Sequence, residues 1–313
     1  MSPPMRSPMV TIVMAFAGMC LIWGSTWMMI KIGLRGAPPM TAVGLRFVLA
    51  GVLIGAIVAS RRLRFPRSRK FLVLCAYLGV CHFAVPYLLV YWAEQQISSG
   101  LTAVLYSTMP FMVAILARGL VGDSLDLRKV IGIVIGVAGV WFIFADSVQI
   151  GGRQGILGVC AVLLSVAFAG LSTVVLKKYG RQYNALVMLV IPFWLAGLLA
   201  LAFAVPIEQS NPLTYDWSTW GTILYLAILG SGLAFTLLFW VVQRVDVTVV
   251  AYQTFIIPLI ALFFGWAFLD EAISPRLVLG SALILAGIAV ASVRRSRSAR
   301  TPSTRADPAL VSK

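Results

Sequence analysis

Charged side chains divide this chain into long apolar tracts, and the spacing between charges sets out its elements. Uncharged stretches run from Arg6 to Lys31, Lys70 to Glu94, Glu94 to Arg118, Arg153 to Lys177, Arg181 to Glu208, Asp216 to Arg244 and Asp246 to Asp270. Each holds the roughly 20 apolar residues that carry an α-helix across a hydrocarbon core about 30 Å thick. Two others, Lys129 to Asp146 and Arg276 to Arg294, are somewhat shorter but still plausible spans. The stretch from Arg46 to Arg61 is too short to cross, so the second helix must start near Met40 and take Arg46 into the membrane. No tract alternates in the manner of a transmembrane barrel. The pattern therefore predicts an all-α integral membrane protein with ten transmembrane helices, over 10–32, 40–60, 71–92, 98–118, 128–146, 154–176, 185–207, 219–243, 248–269 and 276–293. The first segment exceeds a signal-peptide h-region and no A-x-A-like site follows it, so it is read as a mature helix.

Composition agrees. Of the 313 residues, 60% are hydrophobic and 11% charged, against roughly 45–50% and about 25% in soluble domains. Disulfide scaffolds, intrinsic disorder and ordinary soluble enzymes are excluded. Cys20, Cys75, Cys81 and Cys160 fall inside predicted helices without metal-site spacing and read as small packing residues. The net charge of +15 would prompt thoughts of nucleic acid in a soluble protein. Here it has a plainer source. With the N-terminus in the cytoplasm, 20 of the 25 Lys and Arg fall on inner segments, the bias that orients polytopic proteins. Both termini are expected in the cytoplasm, with 1–9 as a short cytoplasmic N-terminus and 294–313 as a disordered basic tail near anionic headgroups.

Sliding the chain against itself exposes a repeat. At a shift of 148, Tyr77 meets Tyr225, Trp92 meets Trp240, Gln95 meets Gln243, Pro110 meets Pro258, Gly132 meets Gly280 and Gly139 meets Gly287. At a shift of 146, Gly24 meets Gly170, Thr26 meets Ser172 and Lys31 meets Lys177. Residues 10–146 and 147–293 thus each hold five helices, and because five is odd the halves enter the membrane in opposite senses. Inverted repeats of this kind are the design of many secondary transporters. Exchange of conformation between two such halves opens a site on their common axis first to one side and then to the other.

At the residue level the chain resembles the drug/metabolite transporter superfamily, and within it the EamA-type ten-helix carriers. The likeness is carried by Trp23-Gly24-Ser25-Thr26 followed by Lys31, by Pro38-Pro39 and Leu45-Arg46-Phe47, and by Val121-Gly122-Asp123-Ser124-Leu125 with Gly132, Gly136 and Gly139 beyond. Pro258, Gly265-Trp266, Leu269-Asp270-Glu271, Gly280 and Ala286-Gly287 repeat the theme. Asp123 stands where the family usually has Glu, and Gly170, with Phe168 near it, where a second Trp-rich signature is often found. The resemblance implies a permease of the bacterial inner membrane that exports amino acids, related metabolites or cationic drugs. It also implies that the fifth and tenth helices are scaffold.

Candidate binding groups are the polar atoms that hydrocarbon would penalise. Pro86, Pro110 and Pro258 cannot donate to the carbonyls of His82, Tyr106 and Thr254, so they either expose acceptors to a solute or simply bend their helices. His82, the only histidine, falls near mid-membrane, where it would bind a carboxylate, couple proton movement or donate to a neighbouring helix. Trp23, Tyr87, Tyr91, Tyr106 and Tyr252 offer aromatic faces, with Ser107, Ser231, Gln253 and Thr254 as hydrogen-bonding neighbours. Lys31 and Glu94, at outer helix ends, form a gate or act as interfacial anchors. Arg46 is expected to snorkel outward or to bridge backbone carbonyls rather than to contact an anion.

Together these features predict a carrier of a small-molecule substrate in a lipid bilayer, monomeric or weakly dimeric, with no nucleic acid, cofactor or metal. The alternative is a multidrug exporter of the same fold for lipophilic cations, disfavoured because no Asp or Glu lies in the middle of a span. Intramembrane catalysis lacks any nucleophile–base pair, and ATP drive lacks a phosphate-binding loop.

Overall fold

A computed structural model describes residues 8–122, 125–210, 213–214, 216–242, 244–245, 250 and 252–292. The basic tail, Asp123, Ser124 and Gln243 lie outside the described residues.

The helices are α1 (Pro8–Gly33), α2 (Pro39–Ser60), α3 (Arg69–Glu94), α4 (Ser99–Tyr106 and Met109–Val121), α5 (Leu127–Ala145), α6 (Gly152–Tyr179), α7 (Val187–Ile207), α8 (Trp217–Tyr225, Leu226–Leu233 and Ala234–Val242), α9 (Gln253–Leu269) and α10 (Pro275–Ser292). Nine of them, among the described residues, are long and apolar enough to span a membrane, and α9 is a shorter apolar helix. Large apolar side chains such as Val134, Trp141, Phe203 and Trp266 are exposed around the bundle, as lipid contact requires.

Local chemistry sets the helix ends. Ser68, Ser98, Asp126 and Asp216 are N-caps whose side chains accept from the backbone N–H three residues on. Gly122 and Asp270 adopt φ of 76° and 54° to stop α4 and α9. Gly152, at φ 54° and ψ −140°, breaks an otherwise continuous helical run into α5 and α6. Two glutamates cap helices far away in sequence. Glu208 accepts from the N–H groups of Met40 and Thr41, at 2.7 and 2.9 Å, at the start of α2. Glu271 accepts from Ser99 N and Gly100 N, at 2.7 and 3.1 Å, at the start of α4.

The repeats join through reciprocal contacts. In α5 and α10, a Cβ on Gly139 would stand 2.6 Å from the Gly280 carbonyl, and one on Gly280 2.8 Å from the Gly139 carbonyl. Gly132 and Gly287 oppose each other in the same way, so only glycine permits this backbone approach. A Cβ on Gly197 of α7 would likewise lie 2.9 Å from the Gly44 carbonyl of α2. Gly24 brings α1 against Ile260 of α9, and its aligned partner Gly170 brings α6 against Met112 of α4.

The proline positions behave differently from one another. Pro110 divides α4, with turns at Ser107 and Thr108 before the helix resumes at Met109. Pro258 is buried within an unbroken α9. Pro86 follows a π-helical stretch, Gly79–Ala84, in the middle of α3. A second π-helical stretch, Leu226–Leu233, occupies the aligned place in α8, where no proline stands and Gly230 and Gly232 do. Wide turns of this kind occur mostly as short insertions and often at functional sites.

Candidate functional site

The two π-helical stretches face the first helix of the opposite repeat. On one seam, Trp23 of α1 donates from Nε1 to the Gly230 carbonyl at 3.1 Å. On the other, the His82 ring lies beside the Ala169 carbonyl of α6. His82 aligns with Gly230 and Ala169 with Trp23, so the same two places meet on both seams, with the aromatic nitrogen and the carbonyl exchanged between the partners. His82 Nδ1 is left buried without a partner.

One turn along each π-bearing helix the seams differ. Tyr225 OH shares a 2.6 Å hydrogen bond with Ser25 Oγ of α1. Its repeat mate Tyr77 lies beside Ser172 of α6, the residue aligned with Thr26, yet both hydroxyls are buried without a hydrogen bond. One seam is latched and its counterpart is not.

Between the seams sits Arg46, 2% exposed. It does not snorkel or bridge carbonyls, as its sequence position suggested, because α2 is packed into the interior and side chains supply its contacts. Nε donates to Ser231 Oγ at 3.0 Å and Nη1 to Tyr91 OH at 3.3 Å. The guanidinium lies over the Tyr87 ring at 4.8 Å and near the Phe47 ring at 5.5 Å. Phe47, Phe83, Phe193, Phe235 and Trp23 continue this aromatic centre, with centroid separations of 4.9–6.0 Å. Arg46 was the residue to which sequence reasoning gave too small a part. Its signal was the tract that could not cross the membrane without including a charge.

The structure brings Trp23, His82, Tyr87 and Ser231 to this centre and its seams, and sets others apart. Ser107 is buried but donates to its own helix at Val104 O, 2.6 Å away. Tyr106 packs on Trp27, centroids 5.3 Å apart, and reaches Ser165, whose hydroxyl donates to the Pro86 carbonyl at 3.0 Å. Gln253 carries a buried, partnerless Oε1, and Thr254 is half-buried beside it. Tyr252 is 54% exposed at the start of α9.

Two cavities flank the centre. One, about 310 Å³, is lined by Lys31, Leu34, Arg35, Glu94, Gln95, Leu269 and Glu271. The other, about 260 Å³, opens at the opposite face among Pro110, Val113, Ala114, Ala117, Lys129, Thr173, Val174 and Lys177. Lys31 and Lys177 are aligned residues of the two repeats, so the cavities occupy equivalent corners. Arg46 lines neither of them. Lys31 does not pair with the Glu94 carboxylate. Its Nζ donates instead to the backbone carbonyls of Glu94 and Ile97, the latter at 2.8 Å, and ties α1 to the end of α3. The Glu94 carboxylate is fully buried and neither oxygen has a partner.

The EamA-like transporter family profile matches residues 10–145 and again 156–293. The chain is 25% identical to an uncharacterized transporter, YoaV, of Bacillus subtilis, over 90% of this chain and 96% of that one. It is 26% identical to an S-adenosylmethionine/S-adenosylhomocysteine transporter of Chlamydia trachomatis, over 85% and 84% of the two chains. An uncharacterized inner membrane transporter of Escherichia coli, YedA, is also 26% identical, over 83% of each. A crystal structure superposes with a TM-score of 0.65 at 18% identity, covering 90% of this chain and 97% of that one, a likeness of fold.

Proposed function

The chain belongs to the EamA-like transporter family, and from that premise we propose that it is a secondary carrier exporting amino acids or related compounds by alternating access between its two repeats. It is a membrane transporter and not an enzyme. The finer reading is carried by the unequal seams: Tyr225 bonded to Ser25, Tyr77 and Ser172 unbonded. Two equivalent tyrosines, one bonded across its seam and one not, are what an asymmetric conformer of a symmetric carrier contains, and its mirror state has their roles exchanged. The paired cavities at Lys31 and Lys177 support the same reading as the two mouths of one pathway. The S-adenosylmethionine named for the Chlamydia relative is itself an amino-acid derivative, which accords with that substrate range. The distribution of Lys and Arg supports an inner-membrane protein with cytoplasmic termini.

Counterflow in proteoliposomes tests the proposal. Vesicles loaded with an unlabelled solute should transiently accumulate the same labelled solute from a panel of amino acids, their derivatives and lipophilic amines, and the flux should saturate. Uptake that rises linearly with concentration and ignores the trapped solute would indicate a channel.

A further inference from the structure

The segment joining α2 to α3 carries Arg61, Arg62, Arg64, Arg67, Arg69 and Lys70, six cations in ten residues without an acid. All six are exposed. The turn that opens this segment is closed by Arg62 N donating to Ala59 O and Leu63 N to Val58 O, each at 3.0 Å, the paired bonds of a left-handed helix stop. Leu63 folds back onto the core cluster that contains Val58. Arg62 itself has a φ of 49°, a conformation that favours glycine because a Cβ crowds the backbone there. At the far end Ser68 caps α3, so Arg69 and Lys70 lie in its first turn, where the helix dipole disfavours cations. Twice, therefore, a cation stands where local stability asks for another residue.

A second basic segment comes to the same place. Tyr183, between α6 and α7, packs its ring on Phe71 of α3 with centroids 5.0 Å apart, which brings exposed Arg181 to the end of the bundle that holds Arg69 and Lys70. No Asp or Glu precedes Glu94, which ends α3, and none lies between Asp146 and Glu208. Among the described residues none of these seven cations is paired with a carboxylate. The charge bias between the two sides of a membrane accounts for their sign. It asks only for a number of cations, and not for an ordered turn that holds one of them under backbone strain. Local rules broken without a compensating contact in the fold mark functional positions.

We propose that the segment joining α2 to α3, together with Arg181, is a binding site for the headgroup of an anionic phospholipid. It lies where α2 and α6 end and α3 and α7 begin, which is headgroup level in a chain that spans the membrane. Phe65, 41% exposed between Arg64 and Arg67, offers an apolar contact at the acyl boundary. The arginine forks match phosphate oxygens. Nothing in this site depends on which solute the carrier moves.

Thermal unfolding of the full chain, purified in a neutral detergent and titrated with phosphatidylglycerol, tests the site. Tm should rise to a plateau, and neither phosphatidylcholine nor inorganic phosphate at equal concentration and ionic strength should reproduce the rise. Without lipid, Arg62→Gly should unfold no earlier than the native protein, since glycine suits the turn. It should nevertheless raise the half-saturating phosphatidylglycerol concentration about fivefold, the effect of one basic residue at an anionic surface. Adding Arg69→Gln and Lys70→Gln should move it about a hundredfold. A chain without residues 294–313 should respond as the native protein does. Should the triple variant not fold, Arg62→Gly decides alone. The site is overturned by the absence of any rise, by an equal rise with phosphatidylcholine or inorganic phosphate, or by a half-saturating concentration unchanged in folded variants. A response abolished with the tail overturns it too, and so does a lipid-free Tm of Arg62→Gly below the native value, which would give that arginine a structural role.

Discussion

At the scale of single residues, buried hydrogen-bonding groups decide most of what is distinctive here. Sequence alone singled out Trp23, His82, Tyr87 and Ser231 because polar atoms deep in apolar tracts need a reason, and the structure places all four at the seams or the centre. Arg46 was visible as a charge but not as a hub, since its partners Tyr91 and Ser231 are 45 and 185 residues away and only packing brings them together. The 54% exposure of Tyr252 at the start of α9 was not legible, because helical spacing does not tell which face turns inward. Two carboxylates outside the spans give simple tests. Asp216 accepts from Thr214 Oγ1, Thr219 N and Thr219 Oγ1, and these bonds hold its pKa down at about 2, below the ordinary 3.8. A depressed pKa gives stability that is present above pH 3.8 and lost as pH falls toward 2. The Tm difference between the native protein and Asp216→Asn should therefore be constant near neutral pH and shrink below about pH 4. Glu208→Ala removes the acceptor for two N–H groups at the start of α2 and should cost about 1–2 kcal/mol, read as a lower Tm.

Helices and the contacts between them show which parts of the repeat were legible. The shift of 148 found equivalent helices, and the glycine pairs it matched, Gly132 with Gly280 and Gly139 with Gly287, are those at which α5 and α10 touch. The π-helical turns were not legible. Pro86 hinted at one, but its counterpart forms over Gly230 and Gly232 with no proline, and a widened turn depends on what the helix packs against. Gly139→Val would drive side-chain atoms into the Gly280 carbonyl, already 2.6 Å from a Cβ. Overpacking of this sort costs roughly 1–3 kcal/mol, so the Tm of the purified protein should fall. The latch makes a sharper prediction. Tyr225→Phe removes the bond to Ser25 and should shift the balance of conformers away from the present one by about 0.5–1.5 kcal/mol. Tyr77→Phe should leave this conformer intact and shift the balance the other way, as read by relative thiol labelling in the two cavities.

For the whole molecule, ten helices in two inverted sets followed from charge spacing and from an odd number of helices per repeat. Two cavities at equivalent corners, with the Arg46 centre lining neither, could not be foreseen, because cavities are what remains after packing. Their arrangement fits the proposed carrier, with one mouth on each side of a closed middle. With Cys20, Cys75, Cys81 and Cys160 replaced, cysteines introduced singly at Leu34 and Ala114 report on the two mouths. A membrane-impermeant maleimide should label each from one side only, and a transported solute should change the two rates in opposite directions. Simultaneous and full labelling of both positions, unchanged by any solute that counterflows, would contradict alternating access between the repeats.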